Sequence, residues 1–164
     1  MNIFFLDKDP RLAAEYQCNK HVVKMILETA QLLSTAHHVL DAGRNLSPEL
    51  YKATHINHPS NVWVRSGSDQ YRWTFDHFCF LLQEYNYRYG KIHKTDAKRS
   101  VLIDSPLAID YDAPWTEPPI CMPDECKIAG DVVGSYRKYY IEKKKSFAKW
   151  TKRETPSWFI NTTI

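Results

Sequence analysis

The segment from Ser68 to Tyr89 limits the fold of this chain more than any other stretch. Tyr71, Phe75, Phe78, Leu82, Tyr85 and Tyr89 recur at steps of 4, 3, 4, 3 and 4, and Gly90 follows them. Steps of three and four gather apolar side chains on one stripe of a helix, and a glycine just beyond supplies the left-handed residue that closes it. A strand would need alternation by two, which is missing here. One long amphipathic helix must therefore bury its stripe against other elements, and 164 residues provide one core for it. The expectation is an all-α single domain over 1–164.

Two further long helices are predicted. Asp9-Pro10 reads as an N-cap followed by proline at the first helical position, opening a helix to about His38, with Gly43 just past its end. Val22, Val23, Ile26, Leu27, Ala30 and Leu33 form its core-facing side. The third helix runs from about Asp131 to Trp150, with Val132, Val133, Tyr136, Tyr140, Phe147 and Trp150 on one side and basic residues on the other. Ser47-Pro48 opens a short helical turn, and His58-Pro59 precedes a brief helix through Trp63. The first eight or so residues form an extended arm that returns the N-terminus to the body. Residues 104–127 hold five prolines, too many for a regular element, and form a long surface loop.

Composition narrows the function classes. No apolar run reaches the roughly 18 residues of a membrane span, and the first residues lack the positive flank of a secretory signal, so a cytoplasmic protein is expected. Cys18, Cys79, Cys121 and Cys126 read as reduced thiols. Cys121 and Cys126 lack the close pairing of a zinc site even with His37, His38, His55 and His58 available, so neither metal nor cofactor is expected. The net charge of +3 is unevenly spread: residues 127–153 carry nine Lys or Arg against Asp131 and Glu142, a sum of +7. A concentrated basic face is the electrostatic footprint of a nucleic-acid binder, although solvated lysines need no polyanion.

At 100° per residue, His21, Lys24, Glu28, Gln31, Thr35 and His38 fall in one narrow polar band on the first long helix, with Met25, Leu32 and Ala36 on its far flank. A band squeezed between apolar surfaces must line a cleft or be sealed under another element. Two readings follow: a structural network joining helices, or a site. Lys24 and Glu28, four apart, also have the spacing of an ordinary surface ion pair. In a cleft, desolvation would raise the Glu28 carboxyl and the neighbouring Lys24 and His21 would oppose the rise, a balance suited to proton transfer.

These residues carry a resemblance. Met1-Asn2-Ile3-Phe4, Asn19-Lys20-His21 with Glu28 seven positions after the histidine, and Asn57-His58-Pro59 followed by Trp63 together resemble the pyrimidine-dimer DNA glycosylase superfamily over roughly residues 1–90. Phage endonuclease V and uncharacterised bacterial relatives belong to that superfamily. The resemblance implies an all-helical glycosylase and strand-cleaving lyase that extrudes a nucleotide from duplex DNA. Its nucleophile is the N-terminal α-amine, assisted by a helix glutamate. An α-amine titrates near ~7.7–8.0, so it is neutral far more often than a lysine near ~10.4. Carried over, Met1 supplies the amine, Glu28 the acid and His21 a phosphate or sugar contact. The best-known members expose a small residue after methionine removal, whereas Asn2 disfavours trimming here, and Leu27 stands where they have an arginine.

Further DNA contacts are expected from Lys24, Gln31, His58, Arg65 and Arg72, and from Arg137, Tyr140 and Lys144, where rings and cations interleave. Asp124 and Glu125 are expected to favour the third helix's N-terminus. The leading expectation is a base-excision DNA glycosylase and lyase, in a host cytoplasm if phage-encoded. The alternatives are a group-transfer enzyme on DNA bases and a non-catalytic module binding a nucleotide or a protein.

Overall fold

The computed structural model describes residues 1–160, and these are helical with no strand among them. An all-α protein is what the chain forms. Helix α1 spans Pro10–Tyr16, α2 Asn19–Leu40, α3 Pro59–Val64, α4 Ser68–Tyr89, α5 Arg99–Leu102, α6 Val132–Tyr139 and α7 Ser157–Ile160. No helix among the described residues is long and apolar enough to cross a membrane. The four cysteines are unbonded.

Helix α4 is the axis of the core, packing against both α1 and α2. Tyr71, Phe75, Phe78 and Leu82 are buried, while Tyr85 and Tyr89 emerge toward its far end, where Gly90 closes the helix at φ 65°. The local start signals act as read. Asp9 accepts from the Arg11 N–H at 2.8 Å with Pro10 at the first helical position, and His58 Nδ1 accepts from the Ser60 N–H at 3.1 Å ahead of α3. Ser47-Pro48 yields only a turn.

The first long helix is in fact two. Between α1 and α2 the chain extends at Gln17 and Cys18, and the carbonyls this exposes are each met by a distant donor. Arg88 donates to Glu15 O at 2.9 Å and to Gln17 O at 2.8 Å, and Trp150 Nε1 donates to Tyr16 O at 2.8 Å. Arg88 is itself buried and paired with buried Glu84 at 2.8 Å, to which Arg153 adds a second guanidinium. Helical periodicity carries no trace of these partners.

Helix α2 is also rotated relative to expectation. Val22, Ile26, Ala30 and Leu33 are buried, but so are Met25, Leu32 and Ala36, while Val23 and Leu27 are each 41% exposed. The arm and α4 together cover a broad face and leave the Val23–Leu27 edge to solvent. The third helix is shorter than expected. After α6 a wider turn over Tyr140–Lys144 ends the regular structure, because the following segment ties to the start of α2: Lys149 O accepts from the Asn19 N–H at 2.8 Å, and Asn19 Oδ1 accepts from the Thr151 N–H at 2.9 Å.

Buried histidines fix the acid limit of this core. His77 is completely buried on α4, donating from Nδ1 to Pro10 O at 3.1 Å and accepting at Nε2 from Gln17 at 3.1 Å. Burial pushes it down from 6.5 to about 4. The unfolded chain therefore takes up a proton that the native chain refuses, so stability is complete above pH 6.5 and declines as pH falls toward 4. Urea unfolding at stepped pH should show a loss of about 3 kcal/mol from His77 across that window, and a flatter profile in His77→Gln.

Candidate active site

The N-terminal arm is buried rather than laid on the surface. Ile3, Phe4, Phe5 and Leu6 are 0–5% exposed, and each such side chain contributes about 1.5–3 kcal/mol on burial. Asn2 shapes the turn into the core: its Oδ1 accepts from the N–H groups of Ile3 and Phe4 at 2.7 and 3.0 Å, and its Nδ2 donates to Cys121 O at 2.8 Å. Phe4 sits at φ 57°, a left-handed conformation that a side chain of its size resists by about 1–3 kcal/mol. Its ring stacks on His21 with centroids 4.2 Å apart and lies 6.1 Å from the Tyr139 ring, so packing holds the strained residue.

This anchoring brings Met1 to α2. The Met1 nitrogen lies 3.9 Å from Glu28 Oε1, an ion pair just beyond direct hydrogen-bond length. Glu28 is partnered by the chain's amine and not by Lys24, the neighbour that sequence spacing offered. Around the pair is a pocket of about 200 Å³ lined by Met1, Asn2, Phe4, His21, Lys24, Met25, Glu28, Tyr139 and Lys144. Sites for whole small molecules begin near ~300 Å³, so this one has room for a single sugar-sized group. Lys24 and Lys144 form no ion pair among the described residues, which leaves Glu28 as the one acid facing two lysines and the amine. Lys144 lies 4.6 Å over the Tyr139 ring.

His21 is neutral here. Burial first, then Lys144, Lys24 and Lys20, pushes it from 6.5 down to about 3. Its Nδ1 is 2.5 Å from the Tyr140 hydroxyl, which already accepts from the Cys18 N–H at 3.2 Å. Tyr140 is pushed well above its usual range by burial and keeps its proton. The same hydroxyl lies 3.7 Å from Cys18 Sγ, so Tyr140 ties the His21 ring to the start of α2.

The polar band of α2 divides at Gln31. His21, Lys24 and Glu28 face the pocket. Gln31, half-buried about one turn further on, does not line it. Thr35 and His38 are closed under the 51–54 segment: Thr35 Oγ1 accepts from the Thr54 N–H at 3.2 Å, and His38 Nε2 donates to Tyr51 O at 2.9 Å. His37 is buried and bonded to the Tyr71 hydroxyl at 2.9 Å, a core residue as expected.

Other expected contacts are engaged elsewhere. Tyr140 is fully buried and cannot reach a partner. Arg137 is tied to Leu6 O at 2.9 Å and Asp7 at 3.1 Å, and so holds the arm. Arg65 donates to Ile56 O at 2.8 Å. His58 caps α3, and Arg72 pairs with Asp76 in a separate cleft of about 670 Å³ that also holds Lys8, Trp73 and Trp115. Asp124 and Glu125 pair with Lys127 and Lys143 at 2.9 Å, which thins the basic face, and the N-terminus of α6 is capped by Asp131 instead. Among the described residues no group of three or more His, Cys, Asp and Glu is set to hold a metal ion.

Asn2 and Phe4 do not stand out in the sequence as site residues. The one available signal is that Asn readily bonds its own backbone two residues on.

Against protein-family models, curated proteins and solved structures, this chain returns no match.

Asn2→Leu removes three hydrogen bonds without inviting trimming of Met1. Denaturant unfolding should show a loss of about 1–3 kcal/mol. Unchanged stability would mean that packing alone holds the arm.

Proposed function

We propose that this protein is a DNA glycosylase and abasic-site lyase that works through an imine on the Met1 amine. The observation that carries the proposal is the Met1 nitrogen 3.9 Å from the Glu28 carboxylate, in a pocket that also holds Lys24, Lys144 and the rings of Phe4, His21 and Tyr139. The resemblance of residues 1–90 to the pyrimidine-dimer glycosylase superfamily, in which an N-terminal amine and a helix glutamate share the chemistry, points the same way.

The amine attacks only after shedding a proton, and Glu28 is the acceptor beside it. The nitrogen then bonds to C1′ of the deoxyribose, and the C1′–base bond breaks with its electron pair leaving on the base. Proton return to the ring oxygen opens the sugar and gives the imine. Loss of a C2′ proton then expels the 3′ phosphate and cuts the strand. Lys24 and Lys144 suit the flanking phosphates, and the His21 ring suits a sugar or phosphate contact. Such an enzyme acts where the DNA lies, in the cytoplasm of a bacterium or of a phage-infected host.

Borohydride added during reaction with abasic or ultraviolet-damaged duplex DNA should trap a covalent adduct. Glu28→Gln should lower the trapping rate by about 100-fold or more while leaving the helical signal intact. Absence of any adduct would remove the lyase reading. Salt-dependent binding without an adduct would favour group transfer or a non-catalytic module.

A further inference from the structure

The turn from Thr54 to His58 is fixed more firmly than a surface connection requires. Asn61 Nδ2 donates to Thr54 O at 3.0 Å and to His55 O at 2.7 Å, and Arg65 Nη1 donates to Ile56 O at 2.8 Å. The His58 N–H closes the turn on His55 O at 2.9 Å. Three successive carbonyls are thus held by Asn61 on α3 and by Arg65 just after it, and Asn61 is itself only 1% exposed. His55 sits at φ 48°, so the turn also carries strain that its supports overcome. At its tip, Ile56 is 43% exposed beside exposed Asn57. A lone surface isoleucine is ordinary. An isoleucine on a strained turn pinned at three carbonyls is a preorganised projection.

The two ends of this turn approach the candidate active site without lining it. Thr54 bonds Thr35, seven residues along α2 from Glu28 and so about 10 Å away. From the other side, the Ser60 hydroxyl lies 3.7 Å from Cys121 Sγ, and the Cys121 carbonyl holds Asn2. His58 is pushed down by burial and then by the Met1 amine, which agrees with this proximity.

We propose that Ile56 is a wedge that enters the base stack of duplex DNA beside the nucleotide whose sugar occupies the Met1 pocket. The proposal rests on reading that pocket as a DNA lyase site. The reason is steric: C1′ enters a pocket of about 200 Å³ beside α2 only if the nucleotide leaves the stack. Unstacking costs a few kcal/mol per step, and an apolar side chain inserted in the gap offsets part of it. A tip already rigid loses little further freedom on insertion, so more of that contact reaches the open duplex. A single strand has no stack to open and gains nothing from the wedge.

The test is the ratio of borohydride-trapping rates on duplex and single-stranded oligonucleotides carrying the same abasic site. Ile56→Ala should lower that ratio by roughly tenfold, and Ile56→Leu should restore most of it. With 2-aminopurine next to a tetrahydrofuran abasic analogue, the native chain should raise the fluorescence of the duplex and Ile56→Ala should not. An unchanged ratio would overturn the wedge. Equal loss on both substrates would also overturn it, assigning Ile56 to the pocket. No trapping by the native chain on either substrate would remove the lyase reading and the wedge with it.

Discussion

The guanidinium of Arg88 governs the N-terminal half of this protein. Buried on α4 against Glu84, it reaches across to the carbonyls of Glu15 and Gln17 and to Asn19 Oδ1. A buried charge this well partnered is tolerable, whereas removing one partner typically costs about 3–5 kcal/mol. It caps α1 and lets the chain change direction before α2. The same break buries Gln17, whose Nε2 touches both His77 and Ile3 O, so the hinge between the helices is also the seat of the arm.

From that seat the rest follows by packing. Phe4 stacks on His21, the Tyr140 hydroxyl bonds Nδ1 of the same ring, and Arg137 clasps Leu6 and Asp7. The N-terminus is therefore delivered to Glu28 by a buried scaffold rather than by a flexible tail. Left-handed backbone appears at Phe4, His55 and Lys152, and at Phe4, which lines the pocket, surrounding contacts over-determine a conformation the residue alone would not choose. Apolar burial pays for that strain.

What was legible in the sequence was local. The stripe of α4 with Gly90, the Asp9-Pro10 start and the His58-Pro59 start are set by neighbours a few residues away, and the structure keeps all three. The break at Gln17–Cys18 was not legible, because its specification comes from Arg88 and Trp150, more than 70 and 130 residues later. The same applies to the third helix, which ends early to reach Asn19. Within the site, 100° spacing gathered His21, Lys24 and Glu28 on one edge, but it could not tell that Thr35 and His38 lie under another segment. Alternating rings and cations marked residues 136–145 without revealing which rings turn inward. Tyr140 is core and Tyr139 lines the pocket.

The proposed chemistry depends on which amine carries it. Three amines share the pocket: Met1, Lys24 and Lys144. Peptide mass spectrometry on the borohydride-reduced adduct distinguishes them directly. The expected result is the reduced sugar on the Met1 nitrogen. A sugar carried on Lys24 or Lys144, with Met1 unmodified, would contradict the claim that the buried arm exists to present the nucleophile.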